Sequence, residues 1–211
     1  MIGYETEEQQ VQAIKQFWKD NGVAIIAGAL IGLGLLWGWR YYNDSQITSK
    51  EEASAAYQAS VKSMVDSKNN EELVAFVEDQ KGTGYAPLAA LILAQDAVEK
   101  DDYQEAKTFL NNASEGDPVI GDIARLRLAN IHLQLGENDQ AIAALNAIVS
   151  TSFENQVEEL KGDALMAKGD FEGAKNAYTI AMAQSANNPS LKMKRDNIAY
   201  AKTKVTGGNV E

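Results

Sequence analysis

Residues that could perform catalysis are few in this chain and are not grouped. The single histidine, His132, lies in the segment LANIHLQLG, and the sequence places no serine and no carboxylate cluster beside it. A general base needs hydrogen-bonding partners and a pocket, so we interpret His132 as a packing or surface residue. The chain has no cysteine, which excludes disulfides, zinc–thiolate sites and thiol nucleophiles. The acidic stretches EKDD and VEELKGD lack metal-ligand spacing and are typical of solvated helix faces.

The sequence therefore predicts no enzyme, no catalytic residue, no metal site and no cofactor. Its charge also restricts the class of partner, because 19 Lys and Arg against 30 Asp and Glu give a net charge of -11. A chain of this charge repels phosphate backbones, so we do not expect nucleic acid as a partner. A length of 211 residues with 45% hydrophobic residues fits one folded domain and an appendage.

The appendage is an apolar run near the N-terminus. Residues 22–39 carry no charge, and at about 1.5 Å per residue they span most of the roughly 30 Å hydrocarbon layer. Arg40 can place its guanidinium among the headgroups, and aromatic residues flank it at Trp37, Trp39, Tyr41 and Tyr42. No basic segment precedes the run, and the bulky WRYYND follows it, which argues against cleavage by a signal peptidase. We predict an uncleaved transmembrane signal anchor over residues 22–42.

The charges around the span do not settle its orientation. Lys15 and Lys19 precede the span and Arg40 and Lys50 follow it, so the Lys and Arg bias is close to nil. A long C-terminal region can be translocated regardless of its charge, which favours residues 1–21 in the cytoplasm and the C-terminal region outside. The N-terminal segment is either a separate amphipathic helix on the membrane surface or an extension of the membrane helix into water.

One half of the predicted membrane helix is formed by small residues. GALIG and GLLWG both have a small residue at each end of a five-residue step, which lets a second helix approach closely in lipid. This half is either an interface with another membrane helix or a consequence of the ordinary glycine content of such helices. Its candidate interface residues are Ala24, Gly28, Gly32, Gly34 and Gly38.

The region after the span contains an internal repeat. Ala106, Ala141 and Ala174 follow helix breakers at spacings of 35 and 33 residues, which is the period of tetratricopeptide repeats. Small residues recur twelve positions before each alanine and large apolar ones four positions after, at Ala94, Ala129 and Gly162 and at Leu110, Leu145 and Tyr178. We predict an all-α fold, with a single transmembrane helix followed by a tetratricopeptide-repeat-like α-solenoid over residues 45–205. A capping helix should begin near Pro189, and residues 206–211 should form a disordered tail.

A helical solenoid offers a concave groove lined by the first helix of each repeat. We expect this groove to run from apolar to acidic and to bind extended apolar or basic segments of partner proteins. Two alternatives stay open: several of its leucines pack between helices, or the convex side makes the contact. The candidate groove residues are Leu88, Leu91, Gln95 and Val98 in the first repeat, Ile123, Leu126, Asn130 and Leu133 in the second, and Gln156, Glu159, Asp163 and Met166 in the third.

The order of these features is itself informative. An acidic N-terminus (YETEEQQVQAIKQFWKDNG) is followed by a glycine-rich span ending in GWRYYND, by repeats that include KGDALMAKGDFEGAKNAY, and by LKMKRDNI. In this combination, and over nearly the whole chain, the sequence resembles the YfgM-like family, the ancillary subunit of the SecYEG translocon. The resemblance implies a single-pass protein of the bacterial inner membrane, with its N-terminus in the cytoplasm and its repeats in the periplasm.

The same resemblance implies three partners: SecYEG, the membrane-anchored periplasmic chaperone PpiD, and translocating polypeptides. The implied function is non-enzymatic, the transfer of newly translocated proteins toward periplasmic chaperones through contacts of the repeat domain. An alternative from another class is a membrane-tethered regulator that sequesters a signalling protein in a stress response.

Overall fold

The computed structural model describes residues 7–184 and 188–207, and this part of the chain is helical with no β-strand. The predicted all-α fold class is confirmed. The chain divides into two compact units, Met1–Glu52 and Ala53–Glu211. Within the described residues the α-helices are α1 Glu7–Ser67, α2 Glu71–Asp79, α3 Tyr85–Glu99, α4 Tyr103–Ser114, α5 Pro118–Gln134, α6 Asn138–Asn146, α7 Glu154–Ala167, α8 Phe171–Gln184 and α9 Pro189–Gly207.

The described part of the first unit is residues 7–52, all of which belong to helix α1. Residues 7–21 and the predicted span 22–42 belong to this one helix, with no break between them. By length and composition α1 can cross a membrane, and its apolar side chains between Val23 and Trp39 are exposed. A Cβ placed on Gly28, Gly32, Gly34 or Gly38 would meet no atom within 4 Å, so this small-residue face is open. Whether it docks on another helix stays a prediction.

In the second unit, the helices form successive antiparallel pairs. The end of α1 packs through Tyr57, whose ring lies 5.4 Å from that of Tyr85 and 5.9 Å from that of Phe76. The end of α1 adds Tyr57, Val61 and Met64 to the first core, and α2 packs on α3. Three pairs follow, α3 with α4, α5 with α6 and α7 with α8. Helix α9 packs on α8 and extends to Gly207; the rest of the predicted tail, residues 208–211, lies outside the described residues.

A residue with a positive φ angle recurs in four of the turns between helices, those of α1–α2, α3–α4, α5–α6 and α7–α8. Lys68, Asp101, Gly136 and Gly169 have positive φ angles of 54°, 59°, 73° and 79°, and they lie 33, 35 and 33 residues apart. A left-handed residue at this place ends one helix and lets the next one turn back. Glycine takes this conformation without strain, whereas Lys68 and Asp101 are held in it by the surrounding fold. The turn between α1 and α2 therefore has the positive φ found in the turns of the three later repeats.

The repeat columns identified in the sequence form the core. Each of the three alanines that mark the period is fully buried, and the small and large residues aligned with them are buried as well. The first helix of each repeat is thus packed against its second helix at a small residue, as the spacing predicted. The nine core positions are Ala94, Ala129, Gly162, Ala106, Ala141, Ala174, Leu110, Leu145 and Tyr178.

Candidate partner-binding site

A cavity of about 420 Å³ opens between α3, α4 and α5. Its walls are mainly apolar, and Val98 and Ile131 contribute to them. Gln95 from α3 and Asn130 from α5 lie at its polar side, together with Arg127. Its size is within the range of about 300–1,000 Å³ that is usual for ligand sites. Three of the candidate groove residues, Gln95, Val98 and Asn130, are therefore brought together at one open site.

Other candidate groove residues of the first two repeats lie elsewhere. Leu91 and Leu126 are 9% and 8% exposed and belong to the hydrophobic cores between helices. Ile123 and Leu133 are partly buried and pack against the same cores, and Leu88 is partly buried. For the two buried leucines, the structure favours the packing role that the sequence had left open. A partner can contact only a small part of the Leu91 and Leu126 side chains.

The acidic end of the predicted groove is occupied by the chain itself. Lys194 of α9 extends to α7, where its Nζ lies 2.7 Å from Glu159 and 2.7 Å from Asp163. Asp163 also accepts a hydrogen bond of 2.7 Å from the hydroxyl of Tyr178. Met166 packs against the adjoining core, which leaves Gln156 as the exposed candidate of this repeat. Lys194 therefore lies on a face of the capping helix α9 that reaches α7.

The contacts of Lys194 with Glu159 and Asp163 make the free energy of unfolding depend on pH in the alkaline range. Burial lowers the pKa of Lys194, but hydrogen bonds to Asp163 and Glu159 outweigh burial, and the net pKa is raised above 10.5. Burial and the bond to Asp163 likewise raise the pKa of Tyr178. For a raised pKa, the stabilisation is complete below the pKa of the unfolded state and is lost as pH rises through the folded pKa.

We expect Lys194→Met to lower the free energy of unfolding near neutral pH by about 1–2 kcal/mol, since two carboxylates lose their cation. The difference from the native chain should shrink as pH rises above 10.5, the ordinary pKa that this lysine has in the unfolded chain, and should disappear once pH passes its raised pKa in the folded chain. Urea unfolding near neutral pH and again above pH 10.5 measures this difference. The matched control is Lys192→Met on the exposed side of α9, which should leave stability unchanged at both. A loss of equal size in the two variants would contradict the prediction.

His132 lies in a polar network that the sequence did not indicate. Its Nδ1 is 2.5 Å from a carboxylate oxygen of Glu137, and Nζ of Lys107 is 3.0 Å from the same atom. Hydrogen bonds with His132 and Lys107 hold the pKa of Glu137 below its usual range. The histidine is 13% exposed and joins α5 to α4 and to the turn before α6. These contacts hold α4, α5 and the turn before α6 together, which agrees with the packing role predicted for His132.

Four residues of the cavity were missed in the sequence: Tyr103, Arg127, Ile131 and Gln134. Arg127, Asn130 and Gln134 are three and four residues apart on α5, so they share one face of that helix. This polar stripe within RLRLANIHLQ was a usable signal. Tyr103 could not be found in the same way, because it is the first residue of α4 and reaches the cavity only through the packing of α4 with α3 and α5.

Comparison with known proteins extends this description to the whole chain. A family model described as a tetratricopeptide repeat-like domain matches residues 15–200. A protein of Escherichia coli (strain K12) named "Ancillary SecYEG translocon subunit" is 35% identical, over 93% of this chain and 98% of its own length. The chain belongs to this family. A Haemophilus influenzae protein of the same name is 34% identical, over 91% of this chain and 97% of its own length.

Family membership covers both units of the chain, because the matched residues begin within α1 and end within α9. A more distant relative from Neisseria gonorrhoeae, with the same name, is 27% identical over 94% of this chain and 100% of its own length. The resemblance to the ancillary translocon subunits is confirmed. The family is named for an accessory role and not for a reaction, which agrees with the prediction of a non-enzymatic protein.

Proposed function

We propose that this chain is a membrane-anchored interaction protein of the Sec translocon, inserted with its N-terminus in the cytoplasm and its repeats in the periplasm of a bacterial cell. The membrane helix holds the repeat domain beside SecYEG. The repeats contact translocating polypeptides and a PpiD-like membrane-anchored chaperone, and so help to pass new proteins to periplasmic chaperones. The observation that carries the proposal is the 35% identity to an ancillary SecYEG translocon subunit over 93% of the chain.

Two structural features support this proposal. The first is α1, which can cross a membrane and has an open small-residue face at Gly28 and Gly32, suited to close approach of another membrane helix. The second is the repeat domain, whose cavity between α3 and α5 is open and mainly apolar. An anchor with an attached binding surface needs no catalytic group to act as an adaptor.

We expect a photocrosslinker at Gly28 or Gly32 of the full chain, activated in intact membranes, to form adducts with translocon subunits, because the small-residue face permits contact at van der Waals distance. The matched control is the same crosslinker at Leu30 or Leu33, bulky positions on the opposite side of the same span that should face lipid. Adducts are identified by mass spectrometry after detergent extraction. Translocon adducts no more frequent at the glycines than at the leucines would contradict the contact.

The orientation is tested separately with single cysteines, since the chain has none of its own. Gly208→Cys should react with a membrane-impermeant thiol reagent applied from the periplasmic side, whereas Gln12→Cys should react only after the membrane is opened. The reverse pattern would exclude a periplasmic repeat domain.

A further inference from the structure

The cavity between α3, α4 and α5 carries one ionised side chain, that of Arg127. Its guanidinium has no ion pair among the described residues. The two other arginines of the repeat domain are both paired, Arg125 with Asp122 at 3.1 Å and Arg195 with Asp196 at 2.9 Å. In a chain of net charge -11, an exposed and unpaired arginine beside an apolar cavity is a local exception.

The amide side chains around Arg127 point to a peptide as the occupant. The NH₂ groups of Gln95, Asn130 and Gln134 already donate within the chain, to Glu99 at 3.1 Å, to the Leu126 carbonyl at 2.9 Å and to the Tyr103 hydroxyl at 3.2 Å. The carbonyl oxygen of each amide remains to accept a hydrogen bond. Backbone N–H groups of an extended segment are donors that match such acceptors.

The charge of the cavity decides which peptide fits. Arg127 repels a basic side chain and offers a planar pair of donors to a carboxylate. Glu99 is not among the lining residues, so Arg127 sets the sign of charge at the cavity wall. The apolar walls, which include Val98 and Ile131, suit an aliphatic side chain.

We infer that this cavity binds an extended polypeptide segment in which an aliphatic residue enters the cavity and a neighbouring Asp or Glu side chain pairs with Arg127. The inference rests on the proposed function, since it names the chemistry of the partner that the repeats contact. It also changes the expected occupant, because the sequence had predicted an apolar or basic segment. The cavity is open to solvent, and the carboxylate that we infer is that of an internal side chain.

The test measures binding of end-blocked fluorescent peptides to the full chain in detergent by fluorescence anisotropy. The first peptide has leucine next to glutamate between polar residues. In the second and third peptides, glutamine and lysine replace the glutamate. The fourth peptide lacks the glutamate and is left unblocked at its C-terminus, so that its only carboxylate is the terminal one. We expect the glutamate peptide to bind about tenfold more tightly than the glutamine peptide, as one charge-assisted contact permits. The lysine peptide should bind least.

Variants of the protein locate the site. Arg127→Ala should reduce affinity for the glutamate peptide to that for the glutamine peptide, Arg127→Lys should retain part of the difference, and Val98→Asp should weaken both peptides. Arg195→Ala removes the same charge on α9, outside the cavity, and should change nothing.

Equal affinity for the glutamate and lysine peptides in the native chain would overturn the inference, as would tightest binding of the free-carboxylate peptide, which would indicate capture of a C-terminus. These failures are distinguishable from failure of the proposed function, because crosslinking from Gly28 and Gly32 to the translocon does not depend on Arg127.

Discussion

Replacement of Asp122 by alanine is expected to lower the free energy of unfolding by about 3 kcal/mol. Asp122 is fully buried, and its carboxylate accepts hydrogen bonds from the backbone N–H of Ser150 at 2.9 Å and from Arg125 at 3.1 Å. Arg125 in turn donates to the carbonyl of Ser114 at 2.9 Å. The alanine variant leaves a partly buried guanidinium without its anion and the Ser150 N–H without its acceptor.

The measurement is urea unfolding of the full chain in detergent, followed by far-ultraviolet circular dichroism. Tryptophan fluorescence is unsuited, because Trp18, Trp37 and Trp39 all lie in the first unit. Asp79→Ala removes the same charge at an exposed position of α2 and should leave the transition unchanged. Asp122→Asn keeps an acceptor for Ser150 and should cost less than alanine. A transition for Asp122→Ala that matches that of Asp79→Ala would contradict the prediction.

The Asp122 contacts join three parts of the solenoid. Through Ser114 they hold the end of α4, through Ser150 the segment after α6, and both against the first turns of α5. Helix α5 also carries Arg127 and Asn130, so the position of two cavity residues depends on how this helix is held. Asp122→Ala should therefore weaken peptide binding even at urea concentrations where the chain remains folded.

The fold was predictable from the sequence because its core is periodic. Ala106, Ala141 and Ala174 recur at a nearly constant spacing and are all fully buried, so one column of small residues specified the pairing of helices. The long apolar helix near the N-terminus was predictable for a similar reason, since length and lack of charge are local properties. Asp122 was not predictable, because its partners Ser150 and Ser114 are brought to it only by the packing of neighbouring repeats.

The candidate site was predicted only in part. Helical spacing grouped Gln95, Val98 and Asn130, which line one cavity, but it could not show that Leu91 and Leu126 turn into the cores. Side chains one position apart on a helix differ by about 100° in direction, so a small error in the assumed face exchanges groove residues for core residues. The pairing of Lys194 with Glu159 also depended on how α9 docks, which no local pattern contains.

Gly162→Ala is expected to destabilise the chain by about 2 kcal/mol, which is within the usual cost of overpacking a core. A Cβ at this position would lie 2.4 Å and 2.5 Å from two ring carbons of Tyr178. The ring is 2% exposed and its hydroxyl is held by Asp163 at 2.7 Å, so it has no space into which to move. Alanine is favoured over glycine within a helix by about 1 kcal/mol, and the clash must exceed that gain.

The other two repeats provide the means of testing this explanation. In the columns where the third repeat has Gly162 and Tyr178, they have alanine and leucine, at Ala94 with Leu110 and at Ala129 with Leu145. A smaller side chain on the second helix thus accompanies a methyl group on the first. The double variant Gly162→Ala/Tyr178→Leu restores this combination, so alanine should cost less in the Tyr178→Leu background than in the native chain. Gly84→Ala, where a Cβ meets nothing within 4 Å, serves as the control for the added methyl group. Urea unfolding of the five chains gives the coupling directly, and additive losses would show that the tyrosine ring is not what requires glycine at this position.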